Sequence, residues 1–209
     1  MKTLLFCTSF LEPTSISKYS SWWHYYKNKF QDCDFLILND GPVDKELFNQ
    51  LKKSIGDDFT KQNFITFDKN LGRADHLHWG WYRSFRKALE IGRQNYDRII
   101  HIEADAVIVS DRLFDFIKYE NIGWKCLYTK KYFFPESAIQ IINKDAFHLI
   151  NNVPEDFDFH KVVELMLPFQ PIKAFIGDRY GEEGKLPKHQ IDYACQWNWD
   201  WVIDKDWIV

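Results

Sequence analysis

Residues 99–107 read Ile99-Ile100-His101-Ile102-Glu103-Ala104-Asp105-Ala106-Val107, an apolar run that ends on two carboxylates one residue apart. A short apolar run bounded by polar residues is typical of a strand that is buried on both faces of a sheet. The run therefore predicts a strand over residues 98–103. In open α/β sheets, ligands bind outside the carboxyl ends of the strands, so the acid pair marks the first place to look for a site.

The chain before this strand alternates strands with helices. Apolar runs predict strands over residues 2–9, 34–38 and 63–67, and turn chemistry at Asn39-Asp40-Gly41-Pro42 ends the second of them. Helices are predicted over residues 17–30 and 44–55, and a longer one from about Asp75, a good N-cap. The order β-α-β-α-β-α-β predicts an α/β fold with a Rossmann-like, mostly parallel central sheet flanked by helices.

The second half, residues 111–209, is smaller and less regular, and we expect all 209 residues to form a single domain. Helices are predicted over residues 111–119, 144–151, 159–167 and 191–199, with strands over 124–129 and 138–142. Residues 176–185 form a charged segment punctuated by glycines, which would suit a functional loop or a lid. An ordinary solvated loop is the equal alternative.

Composition excludes several classes of protein. A hydrophobic content of 45% argues against a disordered chain, and a formal net charge of -3 argues against a nucleic-acid partner. The aromatic fraction is 18%, with nine tryptophans, and most of these rings should fill the core, although some could stack on sugar rings. The four cysteines lie far apart and form no CxxC pair, which argues against a zinc knuckle.

The sequence also predicts where the chain resides. The first apolar run, Leu4-Leu5-Phe6-Cys7, is too short for the core of a signal peptide. No apolar stretch is long enough for a transmembrane segment. We therefore expect a cytoplasmic protein.

Polar residues follow the predicted strands at their carboxyl ends. Each has a simple structural explanation, since Asp40 can form its turn and an acid at a strand end can be solvated or cap a helix. Their convergence on one edge of a sheet favours a site instead. These residues are Thr8 and Ser9 after the first strand, Asp40 after the second, Asp68 and Arg73 after the third, and Glu103 and Asp105 after the fourth.

Two acids at positions i and i+2 of a strand end can divide their roles. One can bind a divalent cation while the other contacts a ribose or a water. Mn²⁺ or Mg²⁺ accepts such oxygen ligands and completes its shell with waters and substrate phosphates. A cation held there would neutralise charge on a diphosphate leaving group.

With these features the sequence resembles the GT-A fold glycosyltransferases, whose hallmark is a DxD motif after a hydrophobic strand. Here the motif reads Glu103-Ala104-Asp105, with Glu in the first place. The resemblance implies that Asp105 binds the metal and that Glu103 is the acid near the ribose or a metal-bound water. It also implies that Asp40 reads the nucleotide base, that Thr8 and Ser9 border base and ribose, and that Arg73 lies near the donor.

The family resemblance implies a transfer reaction as well. A sugar would move from a nucleoside-diphosphate sugar, with a UDP-sugar favoured, to a saccharide or glycoconjugate acceptor. Residues 1–110 would bind the nucleotide-sugar and residues 111–209 the acceptor. His189 could complete the metal shell, as a C-terminal histidine does in some members of the fold.

An inverting transferase needs a carboxylate that deprotonates the acceptor hydroxyl. The candidates, in order, are Asp192 at the start of the last predicted helix, Glu136 at the start of a strand, and Asp178 in the glycine-punctuated segment, with Glu182 beside it. We expect an inverting reaction. A retaining reaction would need no such base, and Gln140 is then the candidate to face the anomeric carbon.

Other functions remain open at this point. A sugar-phosphate nucleotidyltransferase would carry a glycine-rich loop after the first strand, and residues 8–13 contain no glycine. A phosphatase with an aspartyl nucleophile would place its acids there, where Thr8 and Ser9 lie. A carbohydrate-binding module would explain the aromatic content, but such modules are usually β-sandwiches.

Overall fold

The computed structural model describes residues 1–72, 79–131, 133–155, 166–179 and 190–196. The α-helices are α1 (Ile16–Lys29), α2 (Lys45–Ile55), α3 (Trp79–Asn95) and α4 (Asp111–Tyr119), and 3-10 helices span Pro13–Ser15, Lys61–Asn63 and Lys144–Asn152. The strands are β1 (Thr3–Ser9), β2 (Cys33–Asn39), β3 (Phe64–Thr66), β4 (Arg98–Ile102), β5 (Ala106–Ile108), β6 (Trp124–Thr129), β7 (Phe134–Asn143), β8 (Gln170–Ile172), β9 (Gly177–Arg179) and β10 (Tyr193–Cys195).

A seven-stranded sheet in the order β3-β2-β1-β4-β7-β6-β8 forms the centre of the fold. Strands β3, β2, β1 and β4 run parallel to one another, and β7 pairs antiparallel with both β4 and β6. The chain moves outward from β1 to β2 and β3 and then returns to place β4 on the other side of β1. This reversal is a topological switch point, which opens a crevice at the carboxyl ends of β1 and β4.

The central sheet is buried on both faces, which explains its continuous apolar strands. On one face, Leu5 and Cys7 of β1 pack into a cluster with residues of α1, α2 and α4. On the other face, Leu4 and Phe6 pack with residues of α3 and of the 3-10 helix at Lys144–Asn152. Alternate residues of one strand thus contribute to two cores, as the strand period of two requires.

Aromatic residues mainly fill these cores, as the composition predicts. Trp22, Trp23 and Tyr26 of α1 are at most 2% exposed, and Trp124 of β6 is 1% exposed. Trp23 packs edge-on against Phe59 with ring centroids 5.1 Å apart. The structural role therefore accounts for a large part of the aromatic content.

A second, three-stranded sheet follows the order β5-β10-β9. Strand β10 pairs antiparallel with β5 and parallel with β9. The predicted helix over residues 191–199 is therefore wrong at 193–195, where Tyr193, Ala194 and Cys195 are buried in strand pairing. Residues 197–199 of that helix, and most of the predicted helix over 159–167, lie outside the described residues.

The helix ends follow their sequence signals. Asp44 caps α2 by accepting a hydrogen bond from the backbone N–H of Leu47 at 2.7 Å. Gly56 ends the same helix with a φ of 108°, which glycine adopts at little cost. Ser110 caps α4 in the same way as Asp44 caps α2. These caps explain why the sequence predicts both helices to within one residue.

The four cysteines are free thiols, of which Cys33 is partly buried and the other three are buried. Within the described ranges, the helices include none that is both long and apolar enough to cross a membrane. That residues 1–209 form a single domain with two halves stays a prediction.

Candidate active site

A tight turn connects β4 to β5 at the switch point of the sheet. It consists of Glu103, Ala104 and Asp105, and we call it the acidic turn. The backbone N–H of Glu103 donates to the carbonyl of Ala138 at 2.8 Å, and the N–H of Ala106 donates to the carbonyl of Glu103 at 3.0 Å. Ala104 is 4% exposed, whereas both acids are partly exposed. The turn thus buries its alanine and leaves both acids partly exposed at the carboxyl end of β4.

Helix α1 brings a lysine into the same neighbourhood. Burial raises the pKa of the Cys7 thiol well above its ordinary value, the charge of Lys18 lowers it, and the charges of Glu103 and Asp105 raise it further. All three charged groups therefore act on the end of β1. Burial also raises the pKa of Tyr19, and the charge of Asp105 contributes to that shift.

The end of β1 is held to the end of β2 by side-chain hydrogen bonds. The hydroxyl of Ser9 lies 3.2 Å from the carbonyl of Leu38 and 3.1 Å from Asn39 Oδ1. Asn39 Oδ1 also accepts a hydrogen bond from the backbone N–H of Leu11 at 2.6 Å. Ser9 is buried, whereas Thr8 is partly exposed. Ser9 therefore shapes the loop, and Thr8 is the more accessible of the two predicted contacts.

Asp40 follows β2 directly, and its buried carboxylate holds the loop that comes after β3. Its Oδ2 accepts hydrogen bonds from the backbone N–H groups of Leu71 at 3.2 Å and Gly72 at 2.8 Å. Arg83 of α3 forms an ion pair with its Oδ1. A Cβ on Gly80 would lie 1.9 Å from Asp40 Oδ2, so only glycine lets α3 approach this closely. The structure thus places Asp40 at the expected edge, where it anchors a loop.

Arg83, the partner of Asp40, is a residue that the sequence does not single out. Its Nη2 also donates to the carbonyl of Lys69 at 2.6 Å, and its guanidinium lies 4.0 Å from the centre of the Phe67 ring. The sequence contains one signal for this contact. Gly80 lies one helical turn before Arg83 on the same face of α3, and a glycine there leaves room for another part of the chain to approach the helix. Arg73, which the sequence does single out, lies outside the described residues, as do Asp75, Glu182 and His189.

Glu136 lies near the same edge, because β7 runs antiparallel to β4 and begins where β4 ends. It is 2% exposed, and its carboxylate accepts hydrogen bonds from the Thr129 hydroxyl at 3.3 Å and the Ala138 backbone N–H at 3.2 Å. The pairing of β6 with β7 shifts register here, so that residues 137–139 bulge. The carbonyl of Ala138 in this bulge is the acceptor for Glu103, which links Glu136 to the acidic turn.

Two buried side chains hold the bulge from the core side. The carbonyl of Ser137 lies 3.2 Å from His101 Nδ1 and accepts a hydrogen bond from Gln140 Nε2 at 2.7 Å. Gln140 Oε1 accepts another from Trp124 Nε1 at 2.9 Å. Both amide atoms of Gln140 are thus bound inside the core, which argues against the prediction that this side chain faces an anomeric carbon. Burial also lowers the pKa of His101 to about 3, which keeps its ring neutral.

Asp178 and Asp192 belong to the second sheet. Asp178 lies in β9 and is 1% exposed. The carboxylate of Asp192, just before β10, accepts hydrogen bonds from the Ser110 hydroxyl at 2.6 Å, from two nitrogens of Arg112 at 3.2 and 2.5 Å, and from the backbone N–H of Ile176 at 2.7 Å. The side chain of Asp192 therefore joins α4 to the second sheet.

The donor set suits a metal that is shared with a substrate. Among the residues that the structure describes, no group of three or more His, Cys, Asp and Glu side chains could hold an ion. Glu103 and Asp105 supply two carboxylates on one turn. Mg²⁺ and similar hard cations commonly use one or two protein carboxylates and take their other ligands from water and substrate phosphates. The two acids fit such a cation, and a closed protein cage is not required.

Comparison with solved structures relates the fold to glycosyltransferases. A glycosyltransferase involved in the glycosylation of the major capsid of PBCV-1 matches with a TM-score of 0.54 and 11% identity, over 94% of this chain and 93% of that one. The galactosyltransferase LgtC, solved in complex with donor and acceptor sugar analogs, matches with a TM-score of 0.54 and 8% identity, over 93% of this chain and 86% of that one. Identities this low show a shared fold.

These matches confirm the predicted α/β architecture of the GT-A type, with its mostly parallel central sheet and flanking helices. No protein-family model matches the sequence, and the search of curated proteins finds no significant match. The roles of individual residues in this chain are therefore assigned from the contacts in its own structure.

Proposed function

We propose that this protein is a metal-dependent glycosyltransferase that moves a sugar from a nucleoside-diphosphate sugar to a saccharide or glycoconjugate acceptor. The observation that carries the proposal is the position of Glu103 and Asp105 at the carboxyl end of β4, beside the switch point between β1 and β4. This is the place where open α/β sheets bind nucleotides. The shared fold of two glycosyltransferases supports the same class of reaction.

Asp105 and Glu103 would hold Mn²⁺ or Mg²⁺ together with the donor diphosphate. When bound, the cation supplies Lewis-acid stabilisation of the leaving diphosphate. The charge of Lys18 acts on the end of β1, as do the charges of Glu103 and Asp105, and would add to the attraction for the phosphates. We assign the metal contact chiefly to Asp105 and regard Glu103 as the more replaceable acid. We favour a UDP-sugar as the donor.

The nucleotide would lie across the ends of β1 and β2. Thr8 would border the base or ribose, since it is the partly exposed residue at the end of β1. Asp40 would contribute through the loop it anchors, because the backbone of Leu71 and Gly72 and the guanidinium of Arg83 already bind its carboxylate. Arg73 follows that loop directly in sequence and remains our candidate for the donor side.

Glu136 becomes our first candidate for the base of an inverting reaction. Its carboxylate accepts hydrogen bonds from Thr129 and Ala138, and its strand contacts the acidic turn through Ala138. A carboxylate in this place could accept the proton of an acceptor hydroxyl as the new glycosidic bond forms. Asp178 ranks second. Asp192 moves from first to last, because four hydrogen-bond donors already bind its carboxylate.

The proposal is tested by incubating the chain with UDP-, GDP- and dTDP-sugars and Mn²⁺ and measuring release of the nucleoside diphosphate. We expect release from one donor, and its loss in Asp105→Asn, a variant of nearly the same volume. Release without metal from all variants would contradict the proposal. Binding of sugars with no turnover of any donor would favour the non-catalytic alternative, and release of pyrophosphate from a sugar phosphate and a nucleoside triphosphate would favour a nucleotidyltransferase.

The stereochemical part of the proposal has its own test. Proton NMR of the fresh product reports the anomeric configuration, and an inverting reaction changes it relative to the donor. Glu136→Gln should then reduce turnover about 100-fold or more, which is the usual contribution of a general base. Retention of configuration, with full activity in Glu136→Gln, would overturn the role of Glu136.

A further inference from the structure

Helix α1 presents three aromatic side chains with polar groups to the backbone around the acidic turn. Trp22 Nε1 donates to the carbonyl of Ile102 at 3.0 Å. Ile102 is the residue immediately before Glu103, so this hydrogen bond holds the chain at the entry of the turn. Trp22 is fully buried, and no water competes for this bond.

Tyr26 holds the chain at the exit of the turn. Its hydroxyl donates to the carbonyl of Ala106 at 2.8 Å and accepts from the backbone N–H of Ile108 at 3.1 Å. Ala106 follows Asp105 directly. Tyr25, the preceding residue of α1, donates its hydroxyl to the carbonyl of Ile108. One helix thus binds the backbone on both sides of Glu103 and Asp105.

Among the described residues, β5 pairs with a strand on one edge only, that of β10, and α1 supplies hydrogen bonds to its backbone. The Tyr26 hydroxyl bridges a carbonyl and an N–H of β5, as a neighbouring strand would, and it satisfies groups that would be costly to bury without partners. At position 26 a phenylalanine would fill nearly the same volume in the core, so packing alone does not require the Tyr26 hydroxyl.

We propose that Trp22 and Tyr26 are positioning residues that set the geometry of the Glu103 and Asp105 carboxylates toward a metal-bound diphosphate. The inference rests on the proposed function. Its physical reason is that a metal ligand must be held within a fraction of an ångström, which requires a rigid supporting shell. With Ala138 binding Glu103 from the β7 side, the turn is fixed from two directions.

The central test compares two single-hydroxyl deletions. Tyr26→Phe removes the bridge to β5, whereas Tyr82→Phe removes a comparable hydrogen bond from α3 to the carbonyl of Pro154, on the opposite face of the sheet. Calorimetric titration of Mn²⁺ into each variant in saturating UDP or GDP, whichever stabilises the wild type, measures the dissociation constant of the metal. We expect it to rise about tenfold in Tyr26→Phe, as for other supporting residues of metal sites, and to stay unchanged in Tyr82→Phe.

Each outcome decides the matter. Both variants should lose some thermal stability. If Tyr26→Phe loses stability but keeps the wild-type affinity for Mn²⁺, Tyr26 has only a structural role, and the inference fails while the proposed function stands. If the wild type itself binds no Mn²⁺ with any nucleoside diphosphate, the proposed function and the inference both fail. Trp22→Phe is the second variant, to be used if Tyr26→Phe does not fold, and we expect a weaker affinity for Mn²⁺ there too.

Discussion

At the scale of single residues, Asp192 and Glu136 are both buried carboxylates, but their surroundings differ. Asp192 accepts four hydrogen bonds that join α4 to the second sheet, whereas Glu136 lies beside the acidic turn, where Thr129 and Ala138 donate to its carboxylate. Two nitrogens of Arg112 bind the two oxygens of the Asp192 carboxylate, and Ser110 and Ile176 donate the other two hydrogen bonds.

We therefore predict that Asp192→Asn lowers the free energy of unfolding by about 1–3 kcal/mol, because buried donors lose a charged acceptor. Urea denaturation measures this loss. The matched variant is Glu136→Gln, which makes the same change of acid to amide near the acidic turn and should reduce transfer instead. If Asp192→Asn abolished transfer while the stability stayed at the wild-type value, Asp192 would regain its place as the base.

The contact between Gly80 and Asp40 gives a second prediction at this scale. In an ordinary helix, a change from glycine to alanine stabilises by about 1 kcal/mol. At Gly80 the added Cβ would lie 1.9 Å from the Asp40 carboxylate, so we expect Gly80→Ala to destabilise by about 1–3 kcal/mol instead.

The sign of the effect is measured by urea denaturation, with Lys87→Ala on the exposed side of α3 as the control. In an Asp40→Ala background, the cost of Gly80→Ala should shrink, because the clashing group is gone. If the effects of Gly80→Ala and Asp40→Ala are additive, α3 does not approach Asp40 as closely as the structure places it.

At the scale of elements, the packing of α3 against β1 and β4 encloses a neutral histidine. His101 stacks on Phe6 with ring centroids 4.7 Å apart, and burial lowers its pKa to about 3 from an ordinary value of 6.5. The unfolded ring takes up a proton as the pH falls below about 6.5, and the native ring does not until about pH 3. The free energy of unfolding therefore decreases as the pH is lowered through this window.

We predict that His101 accounts for a loss of about 2 kcal/mol in the free energy of unfolding between pH 7 and pH 5. Urea denaturation at the two pH values measures it, and His101→Leu should remove this part of the pH dependence. Phe85→Leu makes a cavity beside the histidine but keeps the imidazole ring, so this variant should retain the pH dependence. An equal pH dependence in His101→Leu and in the wild type would contradict the burial of a neutral ring.

Elements with local signals are predicted well by the sequence. Residues 111–119 and 124–129 match α4 and β6, since Ser110 caps the helix and the strand is mainly apolar. Strand β10 is different. Its three residues form a strand because β5 and β9 pair with them from distant parts of the chain, and no local pattern reports that pairing. The extension of β7 to Phe134–Asn143, beyond the predicted 138–142, also reflects pairing with β6.

At the scale of the whole molecule, the order of strands and helices predicts the fold, because few topologies are compatible with parallel strands and right-handed crossovers. The same order predicts which edge holds the polar residues. It does not predict the partners of each side chain. Arg83 lies 43 residues from Asp40, and Tyr26 lies 80 residues from Ala106, so these contacts become visible only in the folded chain.

We expect the edge formed by β1, β2 and β4 to bind a nucleoside diphosphate together with a metal on Asp105. Thermal unfolding of the wild type and of Asp105→Ala with UDP, GDP or dTDP, each with and without Mn²⁺, measures this binding. We predict that one nucleotide raises the melting temperature of the wild type only when Mn²⁺ is present, and that the shift vanishes in Asp105→Ala. The absence of any shift in the wild type, or an equal shift in Asp105→Ala, would contradict the account.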